Sequence, residues 1–459
     1  MHLKQLTLGN YRCFESLQID FHPELTVLIA PNGSGKTTVL DAARVALWPY
    51  VKGFDLGSQA GKGATIQIAD VRLAPQADGN MEPQLPSRIE AIGTWETDST
   101  ERIWVQSRER VKPGTNTLGD AGAKQLTAFA SQLEQQVRSA HDTVTLPLVS
   151  YLGTSRLWFQ GRFTSTAEDV VLNTSDYSRS SGYLNCLAYS SSFKAFTAWY
   201  GWIFRSYREE QIRALEQGRP LDETGQRFAT IIDVITRAVD TLVSETTGWH
   251  GLEYKASQHQ QLVMHHAQFG SMPLDMLSDG VRNAIAMVAD LAYRAYKLNP
   301  HLGADAALET PGVALIDEVD MFLHPSWQQT IAGALRRAFP RLQFIVTTHS
   351  PQVLSTVRRE NIRVLGPDPS GNIIATEPLA RTYGEPSGDV MQSVMLVDPQ
   401  PPVAEKADLQ RLTEWVDQGR YQDEAAVRLL SQLTQALGEQ HPQLQRLRRS
   451  IQRQEALRR

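Results

Sequence analysis

Apolar and polar residues alternate along HLKQLTLGNYRCF and SLQIDFH, and this two-residue period predicts a β-hairpin at the start of the chain. The next segment, LTVLIAP, is apolar without interruption and is therefore predicted to be a buried strand. Residues 33–47 follow with the spacing of a helix. Between residues 64 and 112, strand-like runs such as ATIQIADVRL and RIEAIGTWET are broken by Pro and Gly, which indicates a small antiparallel β lobe.

The pattern changes to helical spacing over residues 122–140, 183–217 and 224–247. Residues 162–182 are rich in Ser, Thr and Asp and are predicted to form a loop. GLEYKA and QLVMHHA are short predicted strands. GVALIDE and LQFIVTTHS are apolar strands separated by a helix at Pro325–Ala338, and this βαβ order is typical of a parallel sheet.

These patterns predict an α/β protein with a mixed β-sheet core, an antiparallel β lobe, a large helical insertion and a C-terminal helical tail. A length of 459 residues favours two to four packed units, at about 150 residues per domain. The predicted regions are a first lobe at 1–121, an insertion at 122–270 with one strand at 144–152, a second lobe at 271–397, and a helical region at 398–459.

Composition narrows the class of protein. The hydrophobic fraction of 41% is ordinary for a globular protein, and a net charge of −5 argues against a wholly cationic DNA binder while leaving a local basic patch open. Two cysteines without metal-ligand spacing, Cys13 and Cys186, exclude a disulfide framework and favour a reducing compartment. We find neither a signal-peptide pattern nor an apolar run of about 20 residues, so we expect a cytoplasmic protein with no membrane segment.

The segment APNGSGKTT follows a buried strand and opens a helix, the context of a phosphate-binding P-loop. Ala30 stands where the G-x-x-x-x-G-K-[ST] pattern has its first glycine. Backbone N–H groups of such a loop surround phosphates, a lysine neutralises the β- and γ-phosphates, and a threonine hydroxyl binds Mg²⁺. The sequence thus predicts bound ATP and Mg²⁺, with nucleotide contacts from Asn32, Gly33, Ser34, Gly35, Lys36, Thr37 and Thr38, and with Thr37 on the metal.

Two further strand ends carry candidate chemistry. The strand VALI ends in Asp317 and Glu318, which we expect to hold Mg²⁺ and to orient the attacking water, respectively. The strand LQFIVTTHS ends near His349, which is predicted to reach the γ-phosphate. Alone, either strand end would be an ordinary structural feature. Together with the P-loop, both are interpreted as parts of one nucleotide site.

A helix opens with LSDGVR, and Ser278 is a suitable N-cap for it. The order P-loop, LSDGVR, Asp-Glu strand and His strand resembles that of the ATP-binding-cassette (ABC) ATPases, whose signature motif LSDGVR resembles. That resemblance implies that Ser278 and Gly280 contact the γ-phosphate of ATP on the other subunit's P-loop. One copy of each motif then implies a homodimer that exchanges P-loop and signature.

The long interval between P-loop and signature suits a large insertion rather than a transporter cassette. The start of the chain resembles the RecF/SMC-like branch, in which an Asn-x-Arg strand end would bring Arg12 to the nucleotide. By the same resemblance, Asp320 to Leu323 is the D-loop between subunits, and Arg156 lies near the nucleotide or the dimer seam. YLGTSRLW, RTYGEPSGDVMQSVM and the C-terminal helices resemble ATPases of bacterial anti-phage modules, namely the Septu type (PtuA) and retron-associated ATPases.

The first functional hypothesis is an Mg²⁺-dependent ATP hydrolase that regulates a separate effector nuclease of HNH or Toprim type in phage defence. No HNH or Toprim pattern is visible in this sequence. The alternative is a RecF/SMC-like ATPase that binds DNA in repair or chromosome maintenance, and nucleic-acid binding therefore stays open.

Two stretches leave alternatives open. Phe193–Tyr207 holds seven aromatic residues in fifteen, which either stack on nucleotide bases or, more commonly, pack a helical subdomain or a partner interface. The C-terminal stretch either contacts phosphate backbones or forms a solvated helix face. Its arginines are Arg446, Arg448, Arg449, Arg453, Arg458 and Arg459.

Overall fold

The computed structural model describes residues 1–58, 64–95, 100–114, 117–139, 144–156, 178–189, 193–255 and 261–458. Its strands are β1 (His2–Tyr11), β2 (Phe14–Asp20), β3 (Leu25–Ile29), β4 (Leu73–Pro75), β5 (Met81–Pro83), β6 (Ser87–Thr94), β7 (Arg102–Arg108), β8 (Leu118–Gly119), β9 (Leu148–Leu152), β10 (His250–Lys255), β11 (Gln261–His266), β12 (Gly270–Pro273), β13 (Gly312–Ile316), β14 (Leu342–Thr347), β15 (Ile362–Pro367) and β16 (Ile373–Thr376). Its α-helices are α1 (Lys36–Lys52), α2 (Asp55–Ser58), α3 (Ala121–Arg138), α4 (Phe193–Glu216), α5 (Glu223–Thr247), α6 (Asp279–Leu298), α7 (Ala306–Glu309), α8 (Pro325–Gln328), α9 (Ile331–Ala338), α10 (Pro351–Leu354), α11 (Ser387–Ser393), α12 (Lys406–Asp417), α13 (Glu424–Leu437) and α14 (Pro442–Arg458).

The core sheet has the strand order β16-β15-β3-β14-β13-β9. Its pairs are parallel except for β15 with β16, which is antiparallel. The strands β3, β9, β13 and β14 are buried along their whole length, which explains why their sequences are continuously apolar rather than alternating. The predicted parallel βαβ arrangement and the mixed sheet are confirmed.

The antiparallel lobe is a five-stranded sheet with the order β2-β1-β6-β7-β8, so it includes the N-terminal hairpin as well as the predicted strands. The prediction of a strand over ATIQIADVRL is wrong. A 3-10 turn occupies Ile68–Asp70 and a strand begins only at Leu73. The Asp70 carboxylate accepts a hydrogen bond from the backbone N–H of Gln67 at 2.8 Å, and this local bond stabilises a turn where the apolar alternation favours a strand.

Two predicted helices differ from the observed ones. The helix expected from residue 183 begins at Phe193, because Tyr183 ends a buried 3-10 turn, Arg179–Tyr183. The helix predicted over Pro325–Ala338 is divided at Thr330 into α8 and α9. Of the predicted loop at 162–182, residues 162–177 lie outside the described residues.

The chain divides into two compact units, Met1–Met395 and Leu396–Arg459. The second unit consists of α12, α13 and α14 around its own apolar core, in agreement with the helical tail of the predicted fold, whereas the predicted boundary at residue 398 stays a prediction. Of the C-terminal arginines whose side chains are described, Arg446, Arg449 and Arg453 are exposed and Arg448 is half-buried. The finer division of the first unit into two lobes and an insertion stays a prediction.

Both cysteines are free, Cys13 exposed and Cys186 buried, in agreement with the absence of a disulfide framework. Burial raises the pKa of the Cys186 thiol to about 12. Within the described residues, no helix combines the length and apolar character that a membrane crossing requires.

Candidate nucleotide-binding site

The P-loop connects the end of β3 to the start of α1, as the sequence predicts. Gly33 and Gly35 adopt left-handed backbone conformations, with φ of 80° and 91°. At Gly35 a Cβ atom would lie 2.3 Å from the Phe14 ring, so both backbone and space require glycine there. The backbone φ of Ala30 is not positive, which explains why alanine suffices at the position where the pattern has glycine.

Lys36 is turned back onto its own loop. Its Nζ donates hydrogen bonds to the carbonyl oxygens of Ala30 at 2.8 Å and Pro31 at 3.3 Å. Burial lowers the pKa of Lys36, and the carboxylates of Asp317 and Glu318 oppose that shift. The ammonium group therefore lies within the electrostatic reach of both acids, at the mouth of the loop where phosphates would bind.

Asp317 follows β13 directly and is buried, with 2% of its surface exposed. Its Oδ2 accepts a hydrogen bond from Thr37 Oγ1 at 3.0 Å, across 280 residues of sequence. Its Oδ1 accepts a second from Thr347 Oγ1 at 2.6 Å. Two predicted metal ligands, a hydroxyl and a carboxylate, are thus brought together, and their oxygen donors fit Mg²⁺.

Glu318 has a left-handed backbone, with φ of 47°, which a non-glycine residue adopts at a cost on the order of 1–3 kcal/mol. Its N–H donates a hydrogen bond to Thr347 Oγ1 at 2.7 Å, and this bond holds the strained conformation in place. The extended strand β13 ends at Ile316, and the backbone turn at Glu318 redirects the chain. Strain at this position fits the predicted catalytic role of its carboxylate.

Thr347 is a residue that sequence reasoning missed. It ends β14, which lies between the P-loop strand β3 and the acidic strand β13 in the sheet. Its single hydroxyl donates to Asp317 and accepts from Glu318, so it positions both acids. The available signal was a polar residue at the end of an apolar strand in TTHS, two positions before the predicted His349.

Replacing Thr347 with valine is expected to destabilise the protein by about 1–3 kcal/mol, because a buried carboxylate and a backbone N–H each lose a partner. We also expect the kcat for ATP hydrolysis to fall with little change in KM. Thermal unfolding and steady-state hydrolysis measure the two effects. Thr26→Val is the control, because Thr26 is also buried in the core sheet and its hydroxyl accepts from His22 N–H at 2.8 Å. Equal effects of the two substitutions on kcat would contradict the assignment.

The predicted signature helix is α6, and Ser278 is its N-cap residue, although its side chain makes no capping hydrogen bond. Ser278 is exposed, whereas Gly280 is buried. A Cβ atom at Gly280 would lie 2.4 Å from the carbonyl oxygen of Phe322, and Asn283 Nδ2 donates to the carbonyl oxygen of Met321 at 3.0 Å. The start of α6 therefore packs on the loop that follows Glu318, while the Ser278 side chain faces outward.

The remaining predicted nucleotide contacts differ in exposure. Asn32 is exposed, Ser34 is half-buried and Thr38 is buried in α1. His349 is exposed just beyond β14, and the next residue, Ser350, caps α10. The roles of these side chains toward a nucleotide stay predictions.

Arg12 is held by two carboxylates. Its Nη1 lies 2.6 Å from Asp41 in α1 and its Nε lies 2.7 Å from Asp70. These ion pairs connect the hairpin to the P-loop helix, and the predicted approach of Arg12 to the nucleotide stays a prediction. The side chain of Arg156, also predicted near the site, lies outside the described residues.

The segment 178–189 links the P-loop helix α1 to α6, the predicted signature helix, a connection that the sequence does not reveal. Tyr189 donates its hydroxyl hydrogen to Asp41 Oδ1 at 2.9 Å, and Arg44 donates to the carbonyl oxygen of Leu187 at 2.9 Å. On the other side, Arg294 of α6 donates to the carbonyl oxygen of Gly182 at 2.6 Å. Both functional helices are therefore attached to one short segment.

Two family models match the chain. One, described as "AAA domain", covers residues 5–217, and the other, described as "AAA domain, putative AbiEii toxin, Type IV TA system", covers residues 147–355. The "Retron Vc95 probable ATPase" of Vibrio cholerae serotype O1 biovar El Tor is 25% identical over 427 residues, which are 85% of this chain and 78% of that protein. The "Retron Ec83 probable ATPase" of Escherichia coli is 24% identical over 80% of this chain and 71% of its own length.

Shorter sequence matches and structural matches were also found. The Septu protein PtuA of Bacillus mycoides is 39% identical over 92 residues, which are 20% of this chain and 12% of that protein. Among solved structures, the SMC head domain from Thermotoga maritima aligns with a TM-score of 0.42 and 16% identity, over 82% of this chain and all of that one. The chain, with its P-loop, Asp-Glu strand and signature helix on one α/β fold, resembles the ABC/AAA-type ATPases of bacterial retron and Septu defence systems.

Proposed function

We propose that this protein is an Mg²⁺-dependent ATP hydrolase that dimerises around ATP and regulates a separate effector nuclease in phage defence. The observation that carries the hydrolase assignment is the 3.0 Å contact between Thr37 and Asp317, because it joins the phosphate loop to the acidic strand end. The strained Glu318 lies directly beside this pair. These are the parts that positioning and electrostatic stabilisation of phosphoryl transfer require.

In the proposed mechanism, the glycine-rich loop binds the phosphates through its backbone N–H groups, and Lys36 exchanges its loop carbonyls for phosphate oxygens. Thr37 and Asp317 would hold Mg²⁺, which neutralises charge on the phosphates when bound. Glu318 orients the attacking water and accepts its proton. Thr347 holds Asp317 and Glu318 in position through its two hydrogen bonds.

The arrangement of Ser278 supports a site completed by a second chain. The serine side chain is exposed at the N-terminus of α6, a position that favours an anion, and it makes no cap within its own helix. We propose that it contacts the γ-phosphate of ATP bound to the partner's P-loop. Two sites would then form only in a homodimer, and the exposed Phe322, which packs on Gly280 through its carbonyl, would lie at that seam.

Mixing two inactive variants tests this exchange. Lys36→Ala removes the P-loop cation and Ser278→Arg blocks the signature, so each homodimer is expected to lack hydrolysis. In a heterodimer, both defects fall in one composite site and the other site is intact. A mixture should therefore recover up to about a quarter of the wild-type rate, because half of the chains pair as heterodimers and each heterodimer holds one intact site. The measurement is steady-state phosphate release against the mixing ratio.

The matched control mixes Lys36→Ala with Glu318→Gln. Both residues act in the nucleotide site of their own chain, so each site of this heterodimer carries one defect and no activity should return. A 1:1 mixture of Lys36→Ala with the unaltered chain should reach about half of the wild-type rate, because wild-type homodimers and the one good site of each heterodimer both contribute. The exchange of P-loop and signature between subunits would be contradicted if light scattering shows ATP-dependent dimers in the mixture of Lys36→Ala with Ser278→Arg but ATP hydrolysis does not return.

The defence role is supported by the names of the relatives, which are ATPases of retrons and a Septu protein. We expect a complex with the product of a neighbouring gene that contains a nuclease. Co-expression, affinity purification and light scattering with and without Mg-ATP test this, together with phage plating on cells that carry both genes. A dimer that ignores the neighbour but retains DNA in a salt-sensitive manner would support the RecF/SMC-like repair function instead.

A further inference from the structure

A cavity whose lining includes no P-loop residue lies between α4, α5 and the C-terminal end of α6. Its volume is about 260 Å³. That is slightly below the roughly 300–1,000 Å³ of typical ligand pockets, so it suits a small ligand or one unit of a larger ligand. Its aromatic lining residues are Trp199, Trp202, Phe228 and Tyr296, and its cationic ones are Arg179, Arg227 and Lys297.

The lining combines two kinds of side chain. Four of these residues are aromatic and three are cationic, and none of the described residues that line the cavity is a carboxylate. Aromatic faces bind other π-systems, and arginine and lysine bind phosphate. A wall of this kind complements a ligand that is both flat and anionic.

The aromatic wall is held rigidly by its neighbours. The Trp199 ring packs edge-on against Tyr293 with centroids 4.5 Å apart, and the Trp202 ring packs perpendicular to Phe228 at 5.7 Å. Trp199 is 8% exposed, whereas Trp202 is half-buried and accessible from the cavity. The two tryptophans are three residues apart in α4 and therefore occupy one face of that helix.

Within the aromatic run Phe193–Tyr207, aromatic side chains lie in the main core and at the cavity. Phe196, Tyr200 and Phe204 are buried in the main core, which confirms the packing interpretation for these residues. Trp199 belongs to the same core at the edge of the cavity, whereas the half-buried Trp202 packs against that core and borders the cavity. A periodic pattern alone does not separate these environments, because aromatic residues occupy both.

The cations surround the same opening. Lys297 Nζ lies 6.0 Å from the Trp199 ring centroid, and the Arg179 guanidinium donates to the carbonyl oxygens of Leu298 at 2.8 Å and Val144 at 2.6 Å. Arg227 lies on α5 and hydrogen-bonds the Tyr296 side chain. Burial raises the pKa of Tyr296, which Arg227 opposes, so the phenol stays neutral at physiological pH and does not add a negative charge.

We propose that this cavity binds a nucleotide, with the base stacked on Trp202 and the phosphate held by Arg227 and Lys297. The ligand is either a free mononucleotide or one nucleotide of a single strand, since both present a base and a phosphate. This cavity is separate from the P-loop, and nucleotide binding in it does not depend on ATP hydrolysis. Because Lys297 and Tyr296 belong to α6, a ligand here would contact the C-terminal end of the helix that begins with the signature motif.

The test uses the full chain with Lys36→Ala, which weakens the P-loop site. Equilibrium dialysis with labelled AMP and with 5′-phosphorylated pentathymidine is expected to show one bound ligand per chain for at least one of the probes. Binding of AMP identifies a free nucleotide as the source, and binding of the pentathymidine alone identifies a strand. Failure of hydrolysis in the unaltered chain would overturn the proposed function without affecting this result.

Two sets of substitutions locate the bound probe. Trp202→Ala should weaken binding about tenfold or more through the loss of base stacking, and Trp202→Phe should restore most of it. Arg227→Glu with Lys297→Glu should abolish binding. The control variant, Arg420→Glu with Arg428→Glu, reverses the charge of two exposed arginines of the C-terminal unit. It should leave the affinity for the probe unchanged.

Circular dichroism and thermal unfolding show whether each variant is folded. The proposal is overturned if neither probe binds the Lys36→Ala chain. It is also overturned if the folded Arg227→Glu, Lys297→Glu variant binds as tightly as its control. Retained binding in the folded Trp202→Ala variant would equally exclude the stacking geometry.

Discussion

Replacing Glu318 with glutamine is expected to lower the rate of ATP hydrolysis by at least about 100-fold, the range over which a positioned general base acts. Glutamine keeps the size of the side chain and the backbone N–H that bonds Thr347, but it accepts a proton poorly. ATP should therefore still bind, and uncleaved ATP should hold the dimer together. Phosphate release measures the rate, and light scattering with Mg-ATP measures the doubled mass.

Glu309→Gln is the matched control for this experiment. Glu309 is an exposed carboxylate on α7, shortly before β13, and we expect its substitution to leave both rate and mass as in the unaltered chain. Wild-type turnover by the Glu318→Gln chain would remove Glu318 from the catalytic step. A slow chain that stays monomeric with ATP would keep the catalytic role and contradict ATP-driven dimerisation.

Replacing Gly35 with alanine is expected to abolish measurable nucleotide binding and to destabilise the protein by about 2–5 kcal/mol. Part of this cost, about 1–2 kcal/mol, comes from a left-handed conformation at φ of 91°. The rest, about 1–3 kcal/mol, comes from a Cβ atom 2.3 Å from the Phe14 ring. The loop or the hairpin must move, and either movement disturbs the ring of N–H groups. Thermal unfolding and ATP titration measure the two losses.

Gly33→Ala separates the two causes. Gly33 has a similar φ of 80°, but among the described residues no atom outside its immediate chain neighbours lies within 4 Å of the position that an added Cβ would take. It should therefore lose only the conformational part of the stability, and it should retain weakened ATP binding. Equal losses for Gly33→Ala and Gly35→Ala would show that contact with Phe14 contributes nothing.

Local patterns were sufficient for the pieces of the site that are contiguous in sequence. The P-loop, the Asp317-Glu318 strand end and the N-cap at Ser278 each lie within about ten residues, where strand and helix periods and glycine positions have a direct physical meaning. The same local reasoning failed for ATIQIADVRL, because the side-chain bond of Asp70 to a nearby N–H competes with the strand. It also placed the start of α4 too early, at residue 183 instead of Phe193, since aromatic and helical patterns continue through a buried turn.

The partners of these pieces were decided by the order of the sheet. Thr347 reaches Asp317 and Glu318 only because β14 inserts between β3 and β13. The family resemblance predicts that Arg12 faces the nucleotide, and the structure shows its ion pairs with Asp41 and Asp70, which are distant in sequence. A hydrogen bond depends on distances of a few tenths of an ångström, and no spacing along the chain encodes those.

By itself, the sequence determined the class of the protein: the α/β core, the phosphate loop, the acidic strand end and the helix capped by Ser278 follow from local periodicity and from residues whose chemistry has few other uses. The signature role of that helix is what the family resemblance implies. Only the tertiary structure decided how these parts are held, through Thr347 between the two acids and the segment 178–189 between the two helices. It also divided the aromatic run of α4 between the core and a cationic cavity. The physical reason is that burial and charge pairing are properties of neighbours in space, and neighbours from distant parts of the chain meet only when the fold is complete.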